Sequence, residues 1–398
     1  MKEIKNNQFV MDRMQKKIIF LYLLFFLLFS THLEAKIKVT FGGFSFGSLI
    51  PENTYTYNIH PGNGEPSMID KIILEKTKNI NNESFDIHFD TLSDDLSDED
   101  QNVMLLTLDN EYVNYISIPG DNLTRTDIVL NFQIIFFNAK NNFLLAAIPL
   151  EINKIISSSS PLSKKQIIKE LSNIYQNEAM TYYVQLLKDF TLKSKYKNRI
   201  GVTKVIFEEK AENYIRNNFD QKDIFVKNRF AKSFSSFLAF NNNLAIVPFS
   251  QDRTSRTIML TYENTQREIK LPNPDYHIHL TIRGFKNVLF KEGNINSQWI
   301  YGSYVNIKIL QPDFPDENKQ IKIDEKFKHG NNVEFSKRSM ENKESFEWIF
   351  FNESLKLLFD NFSMQTVKMD KKWLKSSNDN KKISKEFKNL KTVYESCK

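Results

Sequence analysis

Cysteine is almost missing from this sequence: 398 residues contain one, Cys397, beside the C-terminal residue. No disulfide can form within the chain, so its stability has to come from packing. Nor does Cys397 lie where a lipid-anchor cysteine has to be, at a processed N-terminus. Glycine is scarce, with 11 residues, and the Gly-rich loops that cradle phosphates in nucleotide-binding folds are absent. Six histidines and one cysteine show no zinc-ligand spacing and no paired His/Cys nucleophile arrangement. Long apolar runs are lacking beyond residue 29. The strongest later stretch, Phe143 to Leu150, contains Pro149 and is flanked by Asn142 and Glu151, which suits a buried strand rather than a membrane span.

The N-terminus has the order of a secretory signal: Lys16 and Lys17, an unbroken apolar run from Ile18 to Phe29, then Ser30, Thr31, His32 and the small residue Ala35 before Lys36. Twelve residues at helical rise reach about 18 Å, short of the roughly 30 Å hydrocarbon core. The expectation is a signal peptide over residues 1–35, cut between Ala35 and Lys36, with no membrane span afterwards. Met14 offers an alternative start that makes the signal more compact. Export without disulfides favours a bacterial periplasmic or envelope-associated protein over a eukaryotic ectodomain, with an extracellular destination as the other outcome. Asn-x-Ser/Thr triplets at Asn82, Asn122, Asn352 and Asn361 are then chance features of an Asn-rich chain.

What is abundant is aromatic: 34 Phe and 15 Tyr supply ample surface for a core. The net charge of +6 drops to about +4 without the signal and concentrates in a Lys-rich tail, residues 368–398, with ten lysines against four acidic residues. Trp373, Phe387 and Tyr394 interleave with those lysines. The tail reads as a solvated terminal helix or disordered end able to contact an anionic envelope surface; nucleic acid is not an expected partner of an exported chain.

Periodicity predicts an α+β fold with two mixed sheet-plus-helix domains, residues 36–192 and 200–367, each a strand meander followed by a long amphipathic helix. Ile37, Val39 and Phe41 alternate, and Phe44 and Phe46 resume one residue out of phase across Gly42 and Gly43, the mark of a bulge. Residues 103–118 are strand-like, and 128–137 with 143–152 form a hairpin apolar on both faces, hence a sheet centre. Ser163 and Gln166 make a capping box ahead of one apolar face from Ile167 to Phe190. In the second half, Tyr276 to Arg283 has clear period two, strands follow near 301–309 and 321–327, and a helix from Ser345 to Phe362 faces Trp348, Leu355, Leu358, Phe359 and Phe362 inward.

Three patterns can carry chemistry. Gly43-Phe44-Ser45-Phe46-Gly47 matches a Gly-x-Ser-x-Gly nucleophile elbow, but no helix follows and the bulge accounts for the glycines. His277 and His279 share one strand face with Thr281 and Arg283 and are the weak candidates for a metal, although a third ligand is undefined and Arg283 would repel a cation. The acidic stretch from Asp90 to Asp100 lacks the glycine and terminal glutamate of a calcium loop. No cofactor is implied. The leading expectation is an exported, non-enzymatic structural or interaction protein whose partners are envelope proteins. The alternative is an exported hydrolase, small-ligand or metal-binding protein with a site around His277, His279 and Arg283.

Overall fold

The computed structural model describes residues 35–47, 51–60, 67–89, 101–118, 123–218, 223–250, 256–262, 265–316, 319–336 and 347–398. The expected signal segment and the acidic stretch 90–100 lie outside the described residues, apart from Ala35 and Lys36, which are exposed and without regular structure. The chain divides into two units, Met1–Lys36 and Ile37–Lys398. Every element described below belongs to the second.

The class is α+β, with two sheets and their helices. The first sheet is built from β1 (Ile37–Phe46), β2 (Phe85–His88), β3 (Asn102–Ile118), β4 (Leu123–Asn138) and β5 (Phe143–Ser158). Helices α1 (Met68–Lys78), α2 (Lys164–Gln176) and α3 (Glu178–Asp189) accompany it. The second half contributes β6 (Ile200–Phe207), α4 (Glu209–Asn218), α5 (Asp223–Asn242), β7 (Ile246–Val247), β8 (Thr257–Tyr262) and β9 (Thr265–Lys270). It continues with β10 (Tyr276–Glu292), β11 (Asn296–Leu310), β12 (Ile321–Ser336) and α6 (Glu347–Met364), and ends in α7 (Lys371–Ser377) and α8 (Ile383–Cys397).

The strand order is β2-β1-β3-β4-β5-β9-β8 in the first sheet and β12-β11-β10-β6-β7 in the second. A pairing of Phe46 with Thr261 joins β8 back to β1, so the first sheet curls round on itself. This curl explains why the central hairpin reads as apolar on both faces. Met104, Leu106, Ile134 and Phe136 face the main core, while Val103, Leu105, Ile135 and Phe137 face a second cluster with Leu260 and Ile269 from β8 and β9. Each fully buried large apolar side chain contributes about 1.5–3 kcal/mol.

The bulge in β1 is where the alternation breaks: its register against β3 shifts between Phe41 and Phe44. The expected long helix from Ser163 to Phe190 is instead two. Ser163 and Gln166 do form a reciprocal capping box, but Asn177, at φ −120° and ψ −79°, leaves helical geometry and separates α2 from α3. Apolar periodicity survives the break because both pieces lie on the same core, which carries Leu171, Ile174, Tyr183 and Leu186.

The tail also corrects the expectation of a solvated or disordered end. Residues 371–397 form α7 and α8, and Trp373, Leu374, Ile383, Phe387, Leu390, Tyr394 and Cys397 are buried in the main core. Their spacing sets one apolar stripe on each helix and leaves the lysines on the other side. That core is continuous from α1–α3 and the first sheet through Ile278, Leu280 and Ile282 of β10 to α6 and α8. Among the described residues no helix is long and apolar enough to cross a membrane.

Candidate functional site

Alternation along β10 divides its side chains. Tyr276, Ile278, Leu280 and Ile282 are buried in the core, and His277, His279, Thr281 and Arg283 occupy the opposite, partly exposed face. On that face His277 and His279 line a cavity of about 280 Å³. Arg283 does not reach it. Four residues beyond His279, roughly 13 Å along a strand, Arg283 instead sits 3.7 Å from a carboxylate oxygen of Glu208.

Three segments complete the cavity. From β6 come Gly201, Val202, Thr203 and Lys204; from β7 and the residues after it come Val247, Pro248 and Ser250; Arg256 and the connection Leu271, Pro272 and Pro274 close the rest. Locally the opening exists because β6 carries an extra residue. Ile278 pairs with Val202 but His279 pairs with Lys204, so Thr203 is left out of the ladder. Such a bulge bends the strand and re-aims its side chains. The Oγ1 of Thr203 is buried without a hydrogen-bond partner among the described residues.

Arg256 is the second irregularity. It holds φ at +41°, left-handed backbone that a non-glycine residue adopts at a cost, and its carbonyl oxygen is pinned by the Leu271 amide at 2.8 Å. Its Nη1 is buried without a partner, and among the described residues it forms no ion pair. Among the described residues, the charged and titratable groups lining the cavity are thus Arg256, Lys204, His277 and His279, with no Asp or Glu. Among the described residues, the carboxylates that act on His277 are Asp313 and Asp275, outside the lining. Burial foremost, together with the charge of Arg256, holds the His277 imidazole below the ordinary histidine value, against the backbone hydrogen bond to Pro274 and the two aspartates.

Among the described residues no three His, Cys, Asp or Glu side chains lie together in a way that could hold a metal ion. The cationic side chains beside His277 and His279 in the lining, Arg256 and Lys204, favour an anion over a cation. Neither Thr203 nor Arg256 stands out in the sequence. The register shift that expels Thr203 depends on the partner strand, and Arg256 ends a polar stretch with no period.

Two serine constellations lack the geometry of a nucleophile. Ser45 is fully buried within β1, its hydroxyl 2.6 Å from that of Thr107. Ser67, His60 and Asp70 do meet, a grouping of the residue types of a hydrolytic triad. However, His60 Nδ1 approaches both Ser67 Oγ at 2.7 Å and Asp70 Oδ2 at 3.2 Å, whereas relay catalysis needs opposite ring nitrogens on serine and acid. The Ser67 hydroxyl donates to Asp70 and accepts from its amide, which makes it the N-cap of α1. Burial would raise the Asp70 carboxyl, but the hydrogen bonds and charge supplied by His60 and Ser67 bring it below the usual carboxylate value.

Comparison of the sequence with protein-family models gives no match, and comparison with curated proteins gives none.

Proposed function

We propose that this chain is an exported binding protein for a small anionic solute, held in the cavity between β6, β7, β10 and the Leu271–Pro274 connection. The observation that carries this reading is Arg256: a half-buried guanidinium on a strained backbone, without an ion pair among the described residues, in a concavity whose other described titratable groups are basic or neutral. A buried cation left without a counter-charge is destabilising, and an incoming carboxylate or phosphate supplies one. The basic residues and apolar run ahead of Ala35 support export.

Titration of the mature protein with acetate, succinate and inorganic phosphate, followed by amide NMR shifts, tests the proposal. Shifts should concentrate at residues 201–204, 256 and 277–279. Arg256→Ala should weaken binding about thirtyfold, the equivalent of one charge-assisted hydrogen bond of about 2 kcal/mol. An absence of response at those residues to any of the three anions would overturn the reading.

A second reading, a contact protein of the cell envelope, is favoured by the end of the β10–β11 hairpin. Val288, Leu289, Phe290 and Ile295 are all exposed there, Phe290 by 63% and Ile295 by 77%, an apolar grouping of the kind that marks contact surfaces. Crosslinks formed in intact cells from position 290 should disappear when Ile295 is changed to Asp. Crosslinks that persist unchanged would end this reading.

A further inference from the structure

We infer that the solute is a small organic acid carrying a hydroxyl group beside its carboxylate. This rests on the cavity being an anion site and adds the class of anion.

The inference begins with the tautomer of His277. Its Nε2 lies 3.0 Å from the carbonyl oxygen of Pro274. A carbonyl can only accept, so Nε2 carries the proton and donates. In the neutral ring Nδ1 is then the bare acceptor, and burial beside Arg256 favours that neutral ring. A solute with lone pairs alone would oppose Nδ1 with like polarity or force a second cation into place beside Arg256. A solute bearing a hydroxyl satisfies Nδ1 directly and leaves its carboxylate for Arg256.

The remaining walls narrow the class further. Val202, Val247, Pro248, Leu271, Pro272 and Pro274 present apolar surface, against which a carbon skeleton gains burial and an inorganic oxyanion gains nothing. An ammonium group is a hydrogen-bond donor too, but the described lining residues include no Asp or Glu to pair with it and already hold Arg256 and Lys204. That disfavours amino acids relative to hydroxy acids.

The test compares malate, succinate and aspartate, one skeleton with a hydroxyl, a hydrogen or an ammonium at the same carbon, by calorimetric titration of the mature chain. Malate should bind about tenfold more tightly than succinate, as one neutral hydrogen bond provides, and aspartate should bind more weakly than malate. In His277→Leu, verified as folded by near-UV circular dichroism, malate should lose more affinity than succinate, so that the two bind alike. Long-range proton–nitrogen NMR should report the Nε2–H tautomer of His277 in the wild-type protein. Equal binding of malate and succinate, a preference for aspartate, or a malate preference that survives His277→Leu would overturn the hydroxyl assignment and leave the anion site standing. No binding of malate, succinate or phosphate would overturn the anion site itself.

Discussion

At Gly43 the backbone takes φ +83°, and at Gly42 a Cβ would lie 2.6 Å from Leu105 Cδ2 and 2.9 Å from Val103 Cγ1. The two glycines therefore do different work in one bulge: Gly43 accepts a left-handed conformation, and Gly42 lets β1 close over the inner cluster of the curled sheet. Gly42→Ala should lower stability by about 1–3 kcal/mol through overpacking, and Gly43→Ala by about 1–2 kcal/mol through backbone strain. Urea unfolding monitored by fluorescence measures both. If Gly42→Ala proves neutral, the inner cluster is not packed against β1 as described. At the other end of the chain, burial pushes the Cys397 thiol up to about 12, and its side chain is almost wholly enclosed. The thiolate is the reactive form, so Ellman's reagent should leave native protein unmodified and label it promptly in denaturant. Prompt labelling of native protein would show that α8 is not docked.

Helix α7 turns the tail from a charge run into part of the fold. Asp370 caps it by accepting from the amides of Lys372 and Trp373. The Trp373 ring stacks on Phe327 at 6.0 Å, and its indole Nε1 donates to His329 Nδ1 at 3.3 Å. That bond requires His329 Nδ1 to be unprotonated, and burial holds this imidazole below the ordinary histidine value. The unfolded chain thus takes up the proton first. The docking contributes fully above the ordinary value of about 6.5 and is lost as pH falls below it. Between pH 7 and 5 the wild-type melting temperature should fall more steeply than that of His329→Gln. Equal slopes would remove His329 from the account of tail docking. Trp373→Ala should cost about 3–5 kcal/mol, the range for deleting a buried aromatic ring.

Across the whole molecule, the first sheet meets helices α5 and α6 through charged groups. Lys232 of α5 pairs with Asp109 of β3 at 2.7 Å, Lys356 of α6 with Glu151 of β5 at 2.6 Å, and Arg125 of β4 with Glu353 of α6 at 2.9 Å. Burial alone would raise the Glu151 carboxyl, but Lys356, with smaller contributions from Arg229 and Asn131, holds it below the usual carboxylate value. A depressed carboxylate stabilises the fold above its unfolded value and loses that contribution as pH falls. Lys356→Leu strands the buried Glu151 and should cost about 3–5 kcal/mol, whereas the double change with Glu151→Leu should recover most of the loss. A double-mutant cycle in denaturant measures the coupling, and additive effects would show that the pair does not act as one. The proposed export is tested at this scale too. A mature chain beginning at Lys36 in a soluble envelope fraction is the expected outcome, and a membrane-bound chain retaining Phe20 the contrary one.

Local pattern determined a good deal of this fold. The bulge at Gly42 and Gly43, the doubly apolar hairpin of β4 and β5, the capping box at Ser163 and the inward face of α6 follow from spacings of two, three and four residues, which backbone geometry translates directly into faces. So does the placing of His277 and His279 on one side of a strand. Tertiary structure alone decided what those faces meet. The curl that takes β8 and β9 into the first sheet, the burial of a lysine-rich tail by its aromatic stripe, and the break at Asn177 depend on contacts between residues far apart in the chain. The cavity depends on them most of all. Thr203 leaves the ladder where β10 pairs with β6 in a shifted register, and Arg256 joins the lining with its carbonyl held by the Leu271 amide. Period along a sequence records which side a residue faces, and it carries no record of the strand, charge or void on the other side.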